Sequence, residues 1–285
     1  MKVSFVGYEG KGTWQIRAKQ IAPFIKARLD PNLLKPSECD AVILIKRPPE
    51  NLLRRIQKFN KPIIWDIQDS WFQKKEDGNM SAYEKADIMK WLKDYLDIVK
   101  PIHVIATTSV MKKDLNSLGY SSTIINHFHR PNIQINPIRE QLKIVGIEGT
   151  VMQYGQWPSK LKNICKKKNY VFLENFETSK DKLHTFDAVI AIREHTGYAA
   201  TNWKSNVKLA NAHGSGTPGI FGEEQSYKDT ASGFELWASN EDQVLSSLEY
   251  LEPYDIRKNI SENFIKNKIS IEQIAEDYKA LIDSL

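Results

Sequence analysis

Trp203-Lys204-Ser205-Asn206-Val207-Lys208-Leu209-Ala210-Asn211-Ala212-His213-Gly214-Ser215-Gly216-Thr217-Pro218 is the most informative stretch of this chain. Ser205 or Asn206 can cap a short helix, predicted over 206–213, because a side-chain oxygen there accepts from an unpaired N–H of the first turn. Lys204 and Lys208 stand four apart and can face the same way at its start. A helix N-terminus presents free N–H groups and partial positive charge, to which two lysines add. Gly214 and Gly216 can end the helix and turn the chain tightly into a strand at 219–221. Cap, cations and glycine turn together predict a diphosphate site.

Outward from this stretch, short apolar runs alternate with longer amphipathic ones, the pattern of parallel βα units. In the first half the predicted strands are 3–7, 41–45, 63–67 and 102–107. Trp14, Ala18, Ile21, Ile25 and Leu29 lie on one helical face and predict a helix between the first two strands. Helices are also expected at 52–59 and 82–98. Residues 126–137, rich in Asn, His, Pro and Arg, read as a crossing between domains. The pattern then restarts, with strands at 142–147, 170–173, 188–192 and 219–221 and a further helix at 161–168. Helices at 241–250, 256–266 and 271–285 close the chain.

Val6-Gly7-Tyr8-Glu9-Gly10 is echoed by Val145-Gly146-Ile147-Glu148-Gly149. Each half would open with a strand and a glycine turn, and in open α/β sheets ligands sit at the carboxyl ends of strands. The expected fold class is therefore α/β, with two Rossmann-like domains facing a cleft. Residues 1–133 would form the first domain, 134–268 the second, and 269–285 a helix returning to the first.

The chain has 285 residues, 41% hydrophobic and 26% charged, enough for two domains with buried cores. Two cysteines without a Cys-x-x-Cys pair support neither a disulfide framework nor a thiolate zinc site. No apolar run is long enough for a membrane span, and the N-terminus reads as a strand rather than a signal peptide. The expectation is a cytoplasmic protein. Its net charge of +5 suits a protein that handles phosphates.

Three other segments can carry chemistry. In Gly7-Tyr8-Glu9-Gly10-Lys11-Gly12-Thr13, Gly10, Gly12 and Thr13 would let the backbone approach a ligand, with Lys11 and Arg17 as nearby cations. This is neither a Walker A loop nor a dinucleotide fingerprint. Asp66 and Asp69, at the end of an apolar strand, include a candidate general base, taken as Asp69. Trp71 and Phe72 beside them can stack on a sugar or a base. His127, in His127-Phe128-His129-Arg130, is a candidate catalytic histidine. No metal site is expected, since neither the carboxylates nor the His-x-His pair supplies enough convergent ligands. The basic pairs Lys46-Arg47, Arg54-Arg55 and Lys74-Lys75 could contact a polyanion, but they belong to no recognised nucleic-acid module.

Ala212-x-x-x-Gly216-x-Pro218, followed by a strand and Glu224-x-x-Tyr227, resembles the donor-site region of GT-B-fold glycosyltransferases, in particular the C-terminal region of glycosyltransferase family four. The strand at 187–193 and the final helix are similar too. The resemblance implies that Arg193, Lys204, Ser205, Asn206, Lys208, Asn211 and Glu224 bind a nucleotide-diphosphate sugar, with the 10–13 loop and Asp69 on the acceptor side. It implies transfer of a hexosyl or pentosyl group to a hydroxyl, with no cofactor besides the donor and no metal. The acceptor would be a glycan, a lipid-linked sugar, a protein or a hydroxylated DNA base. Many retaining members carry a pair of glutamates where this chain has Trp203 and Asn211. That departure leaves the stereochemistry open. It also motivates a second reading, a non-catalytic nucleotide or sugar-phosphate binding protein. An NAD(P)-dependent oxidoreductase is a third.

Overall fold

A computed structural model describes residues 1–285 except 70–74, 77–78, 81–83, 150–153, 176–181 and 195–196. The strands in chain order are β1 (Val3–Gly7), β2 (Arg28–Leu29), β3 (Ala41–Ile45), β4 (Ile63–Asp66), β5 (Lys75–Glu76), β6 (Asn79–Met80), β7 (His103–Ala106), β8 (Ser122–Ile124), β9 (Ile144–Glu148), β10 (Val171–Asn175), β11 (Ala188–Ala191), β12 (Gly219–Phe221) and β13 (Leu236–Trp237). The helices are α1 (Gly12–Trp14), α2 (Ala22–Ile25), α3 (Glu50–Lys58), α4 (Lys85–Val99), α5 (Ser109–Ser117), α6 (Trp157–Lys168), α7 (Tyr198–Asn202), α8 (Val207–Ser215), α9 (Gln225–Thr230), α10 (Glu241–Tyr250), α11 (Tyr254–Asn267) and α12 (Ile271–Asp283).

Two all-parallel sheets result. The first has the order β2-β1-β3-β4-β7-β8 and the second β10-β9-β11-β12-β13. Strands β1 and β3 are buried along their whole length, as expected where helices cover both faces. The two Rossmann-like domains of the sequence reading are present, and the fold is GT-B-like.

α12 crosses back to the first sheet. Ile274, Tyr278, Leu281 and Ile282 share a core cluster with Val3, Phe5 and Ile43, and the Tyr278 ring meets Phe5 edge-on at 5.8 Å between centroids. A second tie was not expected. Ala199 and Trp203 belong to the core of the first sheet, although their chain segment lies within the second half. Trp203 Nε1 and the Tyr198 hydroxyl each donate to Asp114 at 2.8 Å, and Thr108 Oγ1 donates to the Asn202 carbonyl at 2.6 Å.

The helix expected from Trp14 to Leu29 is not continuous. It is replaced by α1, a π-helical turn over Gln15–Lys19 and α2, and Leu29 belongs to strand β2. Lys26 is left-handed (φ 52°) and ends α2. The apolar stride is used as far as Ile25; Trp14, Ala18 and Ile21 are buried and Ile25 packs partly buried against the same core, while Leu29 is 41% exposed on the sheet edge. Here pairing with β1 overrides a helical pattern. The first residues of the helix expected at 82–98 lie outside the described residues.

The echo between the halves holds as strand, turn and helix, but not residue for residue. Gly7 ends β1, whereas Gly146 lies mid-strand beneath Phe186, whose ring atoms sit 2.4 Å from where a Cβ would stand. Gly149, just beyond β9, occupies the turn, with φ +123°. Among the described residues no helix is long and apolar enough to cross a membrane.

Candidate functional site

The carboxyl ends of β3, β4, β9 and β11 converge with the start of α8 on one charged cluster. From the first sheet come Lys46 and Asp69, with Nζ and Oδ2 3.9 Å apart. Both ends are set by left-handed residues, Lys46 (φ 61°) and Gln68 (φ 47°). Such backbone is costly for a non-glycine residue and persists only where surroundings hold it. The Lys46 carbonyl accepts from the Trp65 indole at 2.8 Å, which fixes the lysine at the strand end.

From the second domain come Arg193, Lys204, Lys208 and Glu224, all buried. Arg193 and Glu224 form a close ion pair. Arg193 also lies over the Tyr227 ring, 5.8 Å from its centroid. Burial works against the charge on Lys204 and lowers its pKa, opposed by Asp69 across the cleft. Burial would raise the Asp69 pKa, but Lys204, Lys46 and Arg193 prevail and hold the carboxyl well below its usual range. The carboxylate is therefore ionised at neutral pH.

Lys208, on the first turn of α8, reaches the loop after β9. Its ammonium donates to the Glu148 carbonyl and to the Tyr154 hydroxyl at 2.8 Å, and lies 4.6 Å from the centre of the Tyr154 ring. Burial, then repulsion from Arg193, push its pKa down to about 7. The turn has room for it only because residue 149 is glycine, since a Cβ there would stand 2.1 Å from Lys208 Nζ. Gly149→Ala should therefore displace the ammonium. The expected result is a folded protein with unchanged far-UV circular dichroism and at least about tenfold weaker diphosphate binding, the loss of one charge-assisted contact. Calorimetric titration checks it.

The N-terminus of α8 carries no side-chain cap. Asn206 occupies the cap position without making the capping bond. Its Oδ1 instead accepts from the His127 backbone N–H at 2.9 Å and fastens the domain crossing to α8. The capping expected of Asn206 is thus corrected: the side chain holds the hinge, and the first N–H groups of the helix receive no capping bond from it. Ser205 is buried beside it.

Asn211 also faces the crossing. It accepts from the Arg130 N–H at 2.9 Å and donates to Glu148 Oε1 at 3.1 Å. Glu148 in turn pairs with Arg130 at 2.9 Å. A carboxylate from the end of β9 thus lies beside Asn211 on α8. The sequence offered a hint of it, the apolar strand ending in Glu148-Gly149.

Arg17 lies elsewhere than at a phosphate site. It is 1% exposed and pairs with Asp66 at 2.8 Å. It also donates to the carbonyls of Ile125 (3.0 Å) and Asn126 (2.6 Å). The Tyr278 hydroxyl of α12 donates to the same Asp66 at 2.9 Å. This buried group knits β4, the crossing and the returning helix together. Asp66 and Asp69 thus diverge, one into the domain and one across the cleft. Gly10 and Gly12 have open space around them, and Gly10 is left-handed (φ +85°); with Thr13 they remain on an exposed or half-exposed turn. Trp71, Phe72 and Lys74 lie outside the described residues. Of the basic pairs, Arg54 pairs with Glu50 and Arg55 donates to the Asn32 carbonyl at 2.9 Å.

Cations Lys46, Arg130, Arg193, Lys204 and Lys208 outnumber carboxylates Asp69, Glu148 and Glu224 in the described cluster. A surplus of largely buried positive charge is costly unless an anion answers it. Nearby, the crossing at His127 and His129, helix α8 and the return at Lys268 enclose a small hinge pocket.

No protein-family description matches the chain, and no curated protein matches its sequence. Solved structures do. The chain is similar to a point mutant of S. aureus TarM in complex with fondaparinux, α-GlcNAc-glycerol and UDP, at TM-score 0.58 and 16% identity, covering 88% of this chain and 57% of that one. It is similar to an α,α-trehalose-phosphate synthase (UDP-forming) from Burkholderia vietnamiensis, at TM-score 0.56 and 8% identity over 86% and 71%. An α1,3-fucosyltransferase aligns at TM-score 0.51 and 11% identity over 99% and 90%. The chain thus spans little more than half of TarM and most of the other two. At these identities the likeness defines the fold class, two Rossmann-like domains in the GT-B arrangement.

Proposed function

We propose that this protein is a glycosyltransferase that moves a sugar from a nucleotide-diphosphate sugar to an acceptor hydroxyl. The carrying observation is the buried surplus of positive charge at the uncapped start of α8, where Arg193 and Lys204 lie within electrostatic reach of Lys208, itself set against the Gly149 turn. A diphosphate matches that charge, and helix N–H groups complete its hydrogen bonding. Ser205 and Asn206 stand buried at the start of α8, and Glu224 holds Arg193 in place.

In the reaction the bond from C1 of the sugar to the diphosphate oxygen breaks, and its electron pair stays on the diphosphate. Lysine, arginine and helix dipole stabilise that growing charge, so no metal and no further cofactor is needed. The acceptor oxygen bonds to C1 from the Asp69 side of the cleft. A carboxylate with so low a pKa is a weak base in the ground state. It suffices here because the attacking oxygen becomes strongly acidic once bonded to C1, and its proton then passes to Asp69. Asn211, on the helix that carries Lys208, and Glu148, at the strand end that Lys208 reaches, are joined by a hydrogen bond and would contact the nucleoside.

The acceptor is a glycan, lipid-linked sugar, protein or hydroxylated DNA base. Buried free thiols at Cys39 and Cys165 go with a cytoplasmic setting.

A melting screen against nucleotide sugars, nucleoside diphosphates and NAD(P) tests the reading. Ligand at about a hundred times its dissociation constant adds about 2.7 kcal/mol of stability. A shift with one nucleotide-sugar class, lost in Lys204→Ala, is the expected result. A shift with NAD(P) alone would overturn it. Binding without turnover in acceptor assays would make the protein a nucleotide-sugar binder.

A further inference from the structure

Near the end of β4 two buried acceptor atoms have no donor to meet them among the described residues. Asp69 Oδ1 and His127 Nδ1 are both buried and without a hydrogen-bond partner. Asp69 follows directly on Gln68, whose amide oxygen meets His127 Nε2.

The state of His127 follows from a chain of hydrogen bonds. Asp66 pairs with Arg17 and is 0% exposed, so it is a carboxylate and accepts only. Gln68 reaches it through its amide nitrogen, which is the only end of the amide able to donate. The other end, Oε1, therefore points at His127 Nε2, as it does. An amide oxygen can only accept, so Nε2 must carry a hydrogen. In a neutral imidazole the proton on Nε2 leaves Nδ1 as a lone pair. Burial, then the positive charge of Arg17, favour the neutral ring. Gln68 is itself 1% exposed and held in left-handed backbone, so its amide has little freedom to turn.

We propose that Gln68 is a positioning residue that locks His127 as its Nε2–H tautomer, so that His127 Nδ1 and Asp69 Oδ1 form an acceptor pair for the hydroxyls of the incoming acceptor substrate. The proposal rests on the glycosyl-transfer reading only for what the substrate is. An acceptor pair needs donors, and a polyol supplies two adjacent O–H groups. Asp69 takes the reacting hydroxyl, and His127 orients the same molecule through a neighbouring one. The backbone N–H of His127 is meanwhile held by Asn206 at the cap of α8, which ties this pair to the diphosphate side.

The test is nitrogen NMR of the full chain with ¹⁵N-labelled histidine, the His127 signals being assigned by their loss in His127→Gln. The expected wild-type spectrum shows Nε2 protonated and Nδ1 bare. Gln68→Met removes the acceptor while keeping side-chain length, and should give a mixture of tautomers or Nδ1–H. Gln68→Glu still offers an oxygen and should restore the Nε2–H form. Titration with glycerol as polyol probe should then move the wild-type Nδ1 signal toward the hydrogen-bonded position, and Asp69→Ala should weaken that response. An Nδ1–H signature in wild type, or one unchanged in Gln68→Met, overturns the positioning role. A bare Nδ1 that ignores glycerol overturns the acceptor pair. Neither result depends on the nucleotide-sugar screen, so failure here and failure of the glycosyltransferase reading are separable.

Discussion

Lys208→Met should weaken nucleoside-diphosphate binding by about 10- to 100-fold near neutral pH, the loss of one charge-assisted hydrogen bond to phosphate. It should also flatten the pH dependence of that binding. In the free protein Lys208 has a pKa of about 7, lowered by burial and by Arg193. A bound diphosphate favours the charged form and raises that value again. Above about pH 7, binding must therefore take up a proton, and affinity should fall by up to about tenfold per pH unit. Methionine cannot titrate, so the variant should lack this component. Calorimetry in buffers of different ionisation enthalpy measures the proton uptake directly. An equal uptake in Lys208→Met would show that another group carries it.

Folding of the unliganded protein should respond in the opposite sense. The unfolded chain keeps Lys208 charged up to its ordinary value of 10.5, whereas the folded chain releases the proton from about 7. The unfolded state thus binds more protons between the two values, and this lysine's contribution to stability rises with pH across that window. A diphosphate should remove the effect by answering the charge.

Asp66→Ala should cost about 3–5 kcal/mol of stability, the range for removing one partner of a buried ion pair. It leaves Arg17 charged at 1% exposure with only carbonyl partners, and it deprives Tyr278 and Gln68 of their acceptor. The loss should appear in denaturant unfolding as a lower midpoint. The double variant Arg17→Met, Asp66→Leu should recover much of it, because apolar replacement of a whole buried pair is often neutral. A loss below about 1 kcal/mol in the single variant would mean that Arg17 finds another anion.

Much of the fold was legible because its strands are continuous apolar runs. Residues 3–7, 41–45 and 219–221 needed little context, since strands buried on both faces are written as short, largely apolar runs, here broken only by Ser4 and by glycines at the strand ends. The helix expected at 241–250 is present, and the structure shows what starts it: the Asn240 side chain accepts from the Gln243 N–H. The edge strand β2 was not legible, because two residues carry no period. Its residue Leu29 also completes a helical stride, so local pattern and pairing disagree and pairing with β1 decides.

At the site, the sequence determined which chemistry was available: two lysines at the start of one helix, glycines at its end, an arginine and aspartates at strand ends. Those are properties of neighbours along the chain. Tertiary structure alone decided what each group faces. It sent Arg17 into Asp66, spent Asn206 on the crossing, buried Trp203 in the other domain's core and brought Glu148 to Asn211. It also brought Lys208 to Gly149, where burial among other cations sets its proton affinity. These partners are 49 to 89 positions apart where their bonds are measured, and no local pattern encodes a contact whose geometry is fixed by the packing of two sheets and a returning helix.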